Sequence, residues 1–398
     1  MKRTIKLAVV AALALGATSA FATNGSVMIG MGAKTRGMGG TGIGVSHGAE
    51  SALSNPAMIT KIKSDNEISF GGTVFMPDVS TSTSAGGNVE SNSAADMFVI
   101  PSVSVASKVN DNFYFGVGMW GTGGLGVDYR ESTDPTLMNM TTSLQLMQFG
   151  VPLAYTTNGF AVAITPIVQY GSLDINYNHP LAGNVGTGVA DDLAFGYNLG
   201  LSYTAAGLTL GAVYISEIEM NFDNVLSTAV GAMTSGGYTN NKLSSPAQYG
   251  VGASYKMDNH TLAIDYRRIM WSDAETYKDF SWEDQNVMAI GYEYATTGWA
   301  LRAGYQYAKS AIQNNANSAA LTGGPANLGN TFNQLGFPGS EETHITFGGT
   351  VNLNKTLSLD LAAVYGLENE TTTGYFGGGT ITTKHSESSY SAQLNYNF

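Results

Sequence analysis

Residues 286–309 read NVMAIGYEYATTGWALRAGYQYAK. A two-residue loop at Thr297-Gly298 folds this stretch into a hairpin, and the loop length fixes its register. Tyr294 then faces Leu301 and Tyr292 faces Ala303 on one side, while Glu293 faces Arg302 on the other. A second hairpin around Asp258-Asn259 gives the same parity: Tyr255 opposite Leu262, Ala253 opposite Ile264, with Asp265 and Arg267 turned the other way. One face is long, apolar and aromatic, and the other holds charges. A soluble sheet buries its apolar face, whereas a membrane barrel turns it to lipid and keeps polar groups in the lumen.

Working outward, fourteen segments of this kind are expected. They cover approximately 66–76, 97–109, 113–122, 143–156, 160–177, 192–204, 208–222, 247–257, 260–271, 286–296, 299–309, 343–353, 357–367 and 387–398. Connections after even-numbered strands are minimal, as at Thr157-Asn158-Gly159, Ala205-Ala206-Gly207 and Asn354-Lys355-Thr356, while those after odd-numbered strands run from 14 to 33 residues. That alternation is the topology of an outer-membrane barrel, with short periplasmic turns and long external loops. In the last strand Tyr390, Ala392, Leu394, Tyr396 and Phe398 oppose Ser391, Gln393, Asn395 and Asn397. Trp299 at a short turn, and Trp120 and Trp271 near the opposite strand ends, are assigned to two interfacial aromatic belts.

Composition agrees. Only 12% of residues are charged, against about 25% in soluble domains. Residues 1–22 read as a secretory leader: Lys2, Arg3 and Lys6 precede an apolar Leu7–Thr18, and Ala20-Phe21-Ala22 supplies the cleavage site before Thr23. Removing it leaves 15 Lys and Arg against 30 Asp and Glu, an acidic balance that excludes nucleic acid as a partner. The absence of cysteine excludes disulfides and thiolate metal sites. Residues 65–398 are therefore assigned to an all-β, fourteen-stranded antiparallel transmembrane barrel in the outer membrane of a Gram-negative cell.

Residues 23–64 carry no strand pattern and are rich in glycine and small residues, which suits a plug, or hatch, inside the lumen. Gly37-Met38-Gly39-Gly40 and Asn55-Pro56-Ala57 stand in this segment. Further on come Pro246-Ala247 before Gly250-Val251-Gly252, then Asp265-Tyr266 with Trp271-Ser272-Asp273, and Leu301-Arg302-Ala303-Gly304-Tyr305. In this order the motifs resemble the long-chain fatty acid transporter (FadL) family over essentially the whole mature chain. The resemblance implies a barrel closed by the hatch, taking up fatty acids or aromatic hydrocarbons by diffusion, with an interrupted third strand opening a lateral path. Glycines weaken a strand ladder and mark bends, so the kink is placed at Gly121, Gly123 and Gly124.

Candidate site residues follow. Arg267 and Arg302 are placed in the lumen, where guanidinium groups can hold a carboxylate head group, or else brace the wall against Asp265 and Glu293. Val225, Leu226, Ala229, Val230 and Met233 recur on one face of a helix in an external loop and offer either a capture surface or loop-on-loop packing; Leu328, Phe332, Leu335 and Phe337 add apolar bulk in another loop. Gly37-x-Gly39-x-x-Gly42 spells a dinucleotide fingerprint but lacks a preceding strand. His47, His179, His260, His344 and His385 are scattered without metal-ligand spacing, so neither a metal site nor a cofactor is expected.

Passive uptake of hydrophobic molecules is the expected function; the alternatives are a general diffusion porin and a barrel enzyme, for which no catalytic residues are visible. Expected partners are a hydrophobic ligand, outer-membrane lipid and lipopolysaccharide, and the barrel-assembly machinery through the C-terminal strand; a monomer is expected.

Overall fold

The computed structural model describes residues 24–314 and 319–398. The leader and cleavage point assigned above lie outside the described residues. Fourteen antiparallel strands form a closed barrel: β1 (Asn66–Thr83), β2 (Phe98–Lys108), β3 (Phe113–Asp128), β4 (Thr141–Gly150, resuming as Leu153–Thr157), β5 (Phe160–His179), β6 (Ala190–Ala205), β7 (Leu208–Ile215), β8 (Gln248–Met257), β9 (His260–Ile269), β10 (Gln285–Ala295), β11 (Trp299–Ala308), β12 (Thr343–Asn352), β13 (Leu357–Gly374) and β14 (Thr380–Asn397). Each pairs with its sequence neighbours, and β1 closes on β14 from Glu67↔Asn397 to Thr83↔Ile381. No helix among the described residues is long and apolar enough to cross a membrane.

The alternating side chains sort as lipid contact demands. Ile290, Tyr292, Leu301, Tyr305, Leu361, Tyr390, Leu394 and Tyr396 are 40–59% exposed, whereas Gln306, Asp360, Gln393 and Asn395 on the opposite parity are 0–3% exposed. Both hairpin registers read from the sequence are present, including Tyr294↔Leu301, Glu293↔Arg302 and Tyr255↔Leu262. Asn158 (φ 48°) and Gly159 (φ 84°), like Ala206 (φ 49°) and Gly207 (φ 82°), take the left-handed conformation that a tight hairpin turn matching the strand twist requires.

Three features differ from the sequence reading. First, β13 runs to Gly374 and β14 starts at Thr380, so the expected long last loop is instead a tall hairpin. Its outer half pairs Glu370–Gly374 with Thr380–Lys384, beyond a register shift between Gly366 and Asn369. The shift breaks parity, and Thr-rich strands polar on both faces carry no apolar alternation to read. Second, β7 ends at Ile215, and Ile218–Asn221 pairs instead with Lys242–Ser245 as a ribbon within the loop.

Third, only Trp299, 43% exposed, stands in an interfacial belt. Trp120 and Trp271 are 1% and 0% exposed. Trp120 shares a buried cluster with Ala49, Ala52 and Ile59, and Trp271 stacks edge-on with Tyr277 and Trp282. A plugged lumen has an interior dry enough to hold indoles, which strand-end position alone does not reveal.

Candidate functional site: a plugged lumen beside an interrupted strand ladder

Residues 24–64 run as short turns that include α1 (Ala33–Gly37) and α2 (Ser51–Ser54), and most of their side chains are buried. Packing so irregular a segment against a sheet requires its orphan backbone groups to find partners on the wall. Asp265, inward on β9 and 4% exposed, supplies the most concentrated contact. Its carboxylate accepts from the amides of Gly42 (2.7 Å), Ile43 (2.8 Å) and Gly44 (3.3 Å). The close approach depends on absent side chains: a Cβ on Gly44 would lie 2.5 Å from the Gly252 carbonyl carbon, and one on Gly252 only 2.0 Å from the Asp265 carboxylate.

The family-type motifs sit at further contacts. The Gly39 amide donates to Thr346 (2.9 Å), and Gly37 lies against Gly348. Gly40, with φ 82°, returns the chain to the Thr35 carbonyl (2.9 Å). The Asn55 amide nitrogen donates to the Ile43 carbonyl (2.7 Å) and the Leu201 carbonyl of β6 (3.1 Å), while its oxygen accepts from Ala57, just after Pro56. Glu50 ties α1 to β14, accepting from the Thr35 amide (2.8 Å) and from Gln393 (2.8 Å). Burial holds the His47 imidazole below its ordinary value, and its Nε2 donates to the Thr41 carbonyl at 2.7 Å.

The wall itself has a seam. The β2–β3 ladder begins at Lys108↔Tyr114 by the short turn and stops at Ser102↔Trp120. Beyond it, Phe98–Pro101 pair only with β1, and Pro101 has no N–H to extend the ladder. On the other side β3 shifts register against β4 between Gly121 and Gly123. The freed edge of β3 is taken by the start of the plug: Met28 donates to the Thr122 carbonyl (3.2 Å), Gly124 donates to the Ser26 carbonyl (3.1 Å), and Val27 bridges Gly123. Met28 then packs with Phe75, Phe98 and Ile100. Pro101 inside a strand is the mark of this seam in the sequence.

Beside the seam, on the long-loop side of the plug, lies a cavity of about 70 Å³ lined by Val27, Met28, Ile29, Leu146, Ile167 and Val213, with Arg267 at its edge. On the short-turn side lies a larger space of about 400 Å³, lined by Lys34, Lys61, Lys63, Lys256, Glu67 and Arg302 among others. The plug thus separates the two arginines. Arg302 is ion-paired with Glu293 at 2.7 Å and donates to Thr350 (2.8 Å), a braced wall position. Arg267 has the Asp265 charge nearby and, among the described residues, hydrogen-bonds Gln248 at 3.4 Å, while its Nε is buried without a hydrogen-bond partner.

Above the cavity the external loops pack on one another. Val225, Leu226, Ala229, Val230 and Met233 lie on α3 (Val225–Met233), all at most 6% exposed, in one cluster with Leu144, Tyr177, Phe280 and Phe332. Phe332 belongs to α4 (Leu328–Gly336) and stacks on Phe280 at 5.1 Å. A small cleft of about 20 Å³ remains between Leu226, Leu243, Phe280, Trp282 and Phe337. The helix face read from the sequence is therefore covered by its neighbours. The histidines also differ from their scattered placement in sequence: His344 and His385 converge with Glu341 and Glu387 on the inner wall.

A closed barrel with a lipid-facing band, a lumen plug and an apolar cavity beside the interrupted β2–β3 ladder defines a plugged outer-membrane transport barrel. The chain belongs to the outer membrane protein transport protein family (OMPP1/FadL/TodX), whose pattern matches residues 7–398. It is thus an outer-membrane protein of a family that transports hydrophobic compounds, and not an enzyme.

Solved structures of the same fold include a Pseudomonas aeruginosa FadL homologue, 15% identical with a TM-score of 0.72, covering 94% of this chain and 100% of that one. The P. putida toluene transporter TodX (19%, TM-score 0.68, 93% and 99%) and the Ralstonia pickettii toluene transporter TbuX (19%, 0.65, 93% and 98%) are similar too. A Chlorobium limicola protein, described as an uncharacterized protein in the phosphoenolpyruvate carboxykinase gene 5′ region, is 41% identical over 81 residues. That match spans 20% of this chain and 40% of the relative's length.

Proposed function

We propose that this protein carries small hydrophobic molecules passively into the outer membrane, passing them from the external loops to the cavity above the plug and then sideways between β2 and β3. One observation carries the reading: the apolar cavity abuts the stretch where the β2–β3 ladder is missing, and among the described residues it is 26–28 that bond to Thr122, Gly123 and Gly124 on the freed edge of β3. The apolar cleft between the external loops suits first capture. Of the two cargo classes, long-chain fatty acids and aromatic hydrocarbons, Arg267 favours an amphipathic carboxylate, because its guanidinium stands at the cavity with a buried donor unspent. Arg302 has no such role, being paired on the far side of the plug.

The test is a covalent staple across the seam. A Cβ on Gly121 would lie 3.8 Å from the Ile100 Cβ, the usual spacing across a disulfide, and the chain contains no other cysteine. In cells lacking their own fatty acid transporter, the Ile100→Cys/Gly121→Cys variant should take up labelled oleate and toluene when reduced and neither when oxidised. Equal uptake in both states rules out the lateral exit. A general porin would instead conduct ions steadily, which a plugged lumen does not.

A further inference from the structure

The loop between β11 and β12 returns to the barrel at Glu341, and there four ionisable side chains meet inside the wall. Glu341, His344, His385 and Glu387 are 0%, 1%, 2% and 5% exposed. His385 and Glu387 are two residues apart on β14 and so point the same way. His344, Gly366 and Glu387 form one row across β12, β13 and β14. The middle place is a glycine, and a Cβ there would come within 2.4 Å of the Glu387 side chain and 3.1 Å of the His344 ring. The missing side chain lets the imidazole reach across β13 to the carboxylate, with His344 Nε2 3.2 Å from Glu387 Oε1.

The cluster is poorly satisfied as it stands. Apart from the His344–Glu387 and His385–Glu341 ion-pair contacts, both oxygens of Glu341 and of Glu387, both nitrogens of His344, and Nε2 of His385 are buried without a hydrogen bond. Buried carboxylates normally persist only when paired or coordinated. Arg36, whose charge acts on Glu387, spends its terminal nitrogens on the Ser389 hydroxyl and, at 3.3 Å, on the Gly30 carbonyl, and only its Nε is unpaired. One ligand atom from each of Glu341, His385 and Glu387 lies within 4.8 Å of the other two. His385 Nδ1 faces the Pro338 carbonyl at 2.7 Å and the Glu341 carboxylate, the kind of contact that orients a metal-ligating imidazole.

We infer that Glu341, His385 and Glu387, with His344 beside them, form a binding site for a divalent first-row transition ion of the zinc type. An imidazole with two carboxylates suits such ions, while calcium and magnesium take all-oxygen sets. Two carboxylates match the charge of a divalent cation, and the ion would satisfy oxygens that otherwise meet only the two imidazoles. Because Glu341 comes from the loop carrying α4 and the other ligands come from the wall, the ion pins that loop over the barrel mouth. Asn369 already holds the same segment through the Ser340 carbonyl.

The experiment is calorimetric titration of ZnCl2 into the full-length protein in detergent after chelator treatment, with X-ray absorption at the zinc edge. One equivalent with nitrogen and oxygen ligands is expected, lost in both His385→Asn/Glu387→Gln and Glu341→Gln. The second variant lies in the loop, outside the strands, so it leaves barrel pairing intact; heat-modifiable migration on a gel confirms folding of each. At zinc near 100 times its Kd, protease cleavage of the 309–342 loop should slow by roughly a hundredfold in the wild type, because binding suppresses local opening in proportion to occupancy. Well under one equivalent bound, or binding undiminished in Glu341→Gln, overturns the site and leaves two buried imidazole–carboxylate pairs.

Discussion

Replacing Asp265 with Asn tests whether the plug is latched at a single point. The substitution keeps volume but removes the charge and turns one acceptor into a donor. Three plug amides converge on the carboxylate, at 2.7, 2.8 and 3.3 Å. An amide can keep one oxygen toward Gly42 and Ile43, but its NH2 then faces the Gly44 N–H, and Arg267 loses its nearby opposite charge. A hydrogen bond to a charged group contributes about 1.5–3 kcal/mol, and stripping the partner from a buried charge costs about 3–5 kcal/mol. A loss of about 3 kcal/mol from the latch is a reasonable middle value, which at about 1.4 kcal/mol per tenfold raises the open-plug population by roughly 150-fold.

The barrel ladder is untouched by that change, so the melting of the strands should move little. The assay is ion conductance in planar bilayers, with hydrogen exchange of the Gly42–Gly44 amides measured alongside. Asp265→Asn should show frequent openings and faster exchange at those three amides. If conductance and exchange both match the wild type, the latch argument fails, because the carboxylate would then be contributing nothing to plug closure.

Two further outcomes follow from the same geometry. Arg267→Leu should lower oleate uptake several-fold while leaving toluene uptake near wild type, since it removes the one free guanidinium donor at the cavity; equal loss of both substrates would make Arg267 structural. Trp120→Ala should cost about 3–5 kcal/mol of packing, felt as a raised ionic leak because the indole shares its cluster with Ala49, Ala52 and Ile59 of the plug; a leak unchanged from wild type would show that the plug does not depend on it.

The barrel was legible in sequence wherever one face meets lipid, because an alternation imposed by two solvents survives in the residues. That is why the Tyr294↔Leu301 and Glu293↔Arg302 pairs were readable. Legibility stopped where both faces share an environment, as in the tall Thr-rich hairpin of β13 and β14, and wherever contacts are made across the lumen. Arg267 and Arg302 look alike by parity, and only the plug running between them gives one an unspent donor and the other an ion pair. His344 and His385 are distant along the chain and become neighbours because β12 and β14 flank a strand with glycine at position 366. Inward glycines such as Gly252 were visible as parity, but their purpose requires knowing that the Gly44 backbone lies against them.

The direction of release follows from comparing the two ways out of the cavity. Passing beyond the plug leads into a space bordered by Lys34, Lys61, Lys63, Lys256, Glu67 and Arg302, which water fills and an apolar molecule does not favour. A phenyl-sized molecule exposes about 200 Å² of apolar surface, so leaving an apolar site for that space costs about 5 kcal/mol at ~25 cal/mol/Å². The seam between β2 and β3 opens instead on hydrocarbon, where the same surface stays out of water and no comparable cost arises. A barrier of about 5 kcal/mol corresponds to more than a thousandfold in rate, so passive flow should leave by the seam whenever residues 26–28 withdraw. A fluorescent fatty acid loaded into proteoliposomes should therefore reach the bilayer before the enclosed water. Arrival in the aqueous interior first would place the exit beneath the plug.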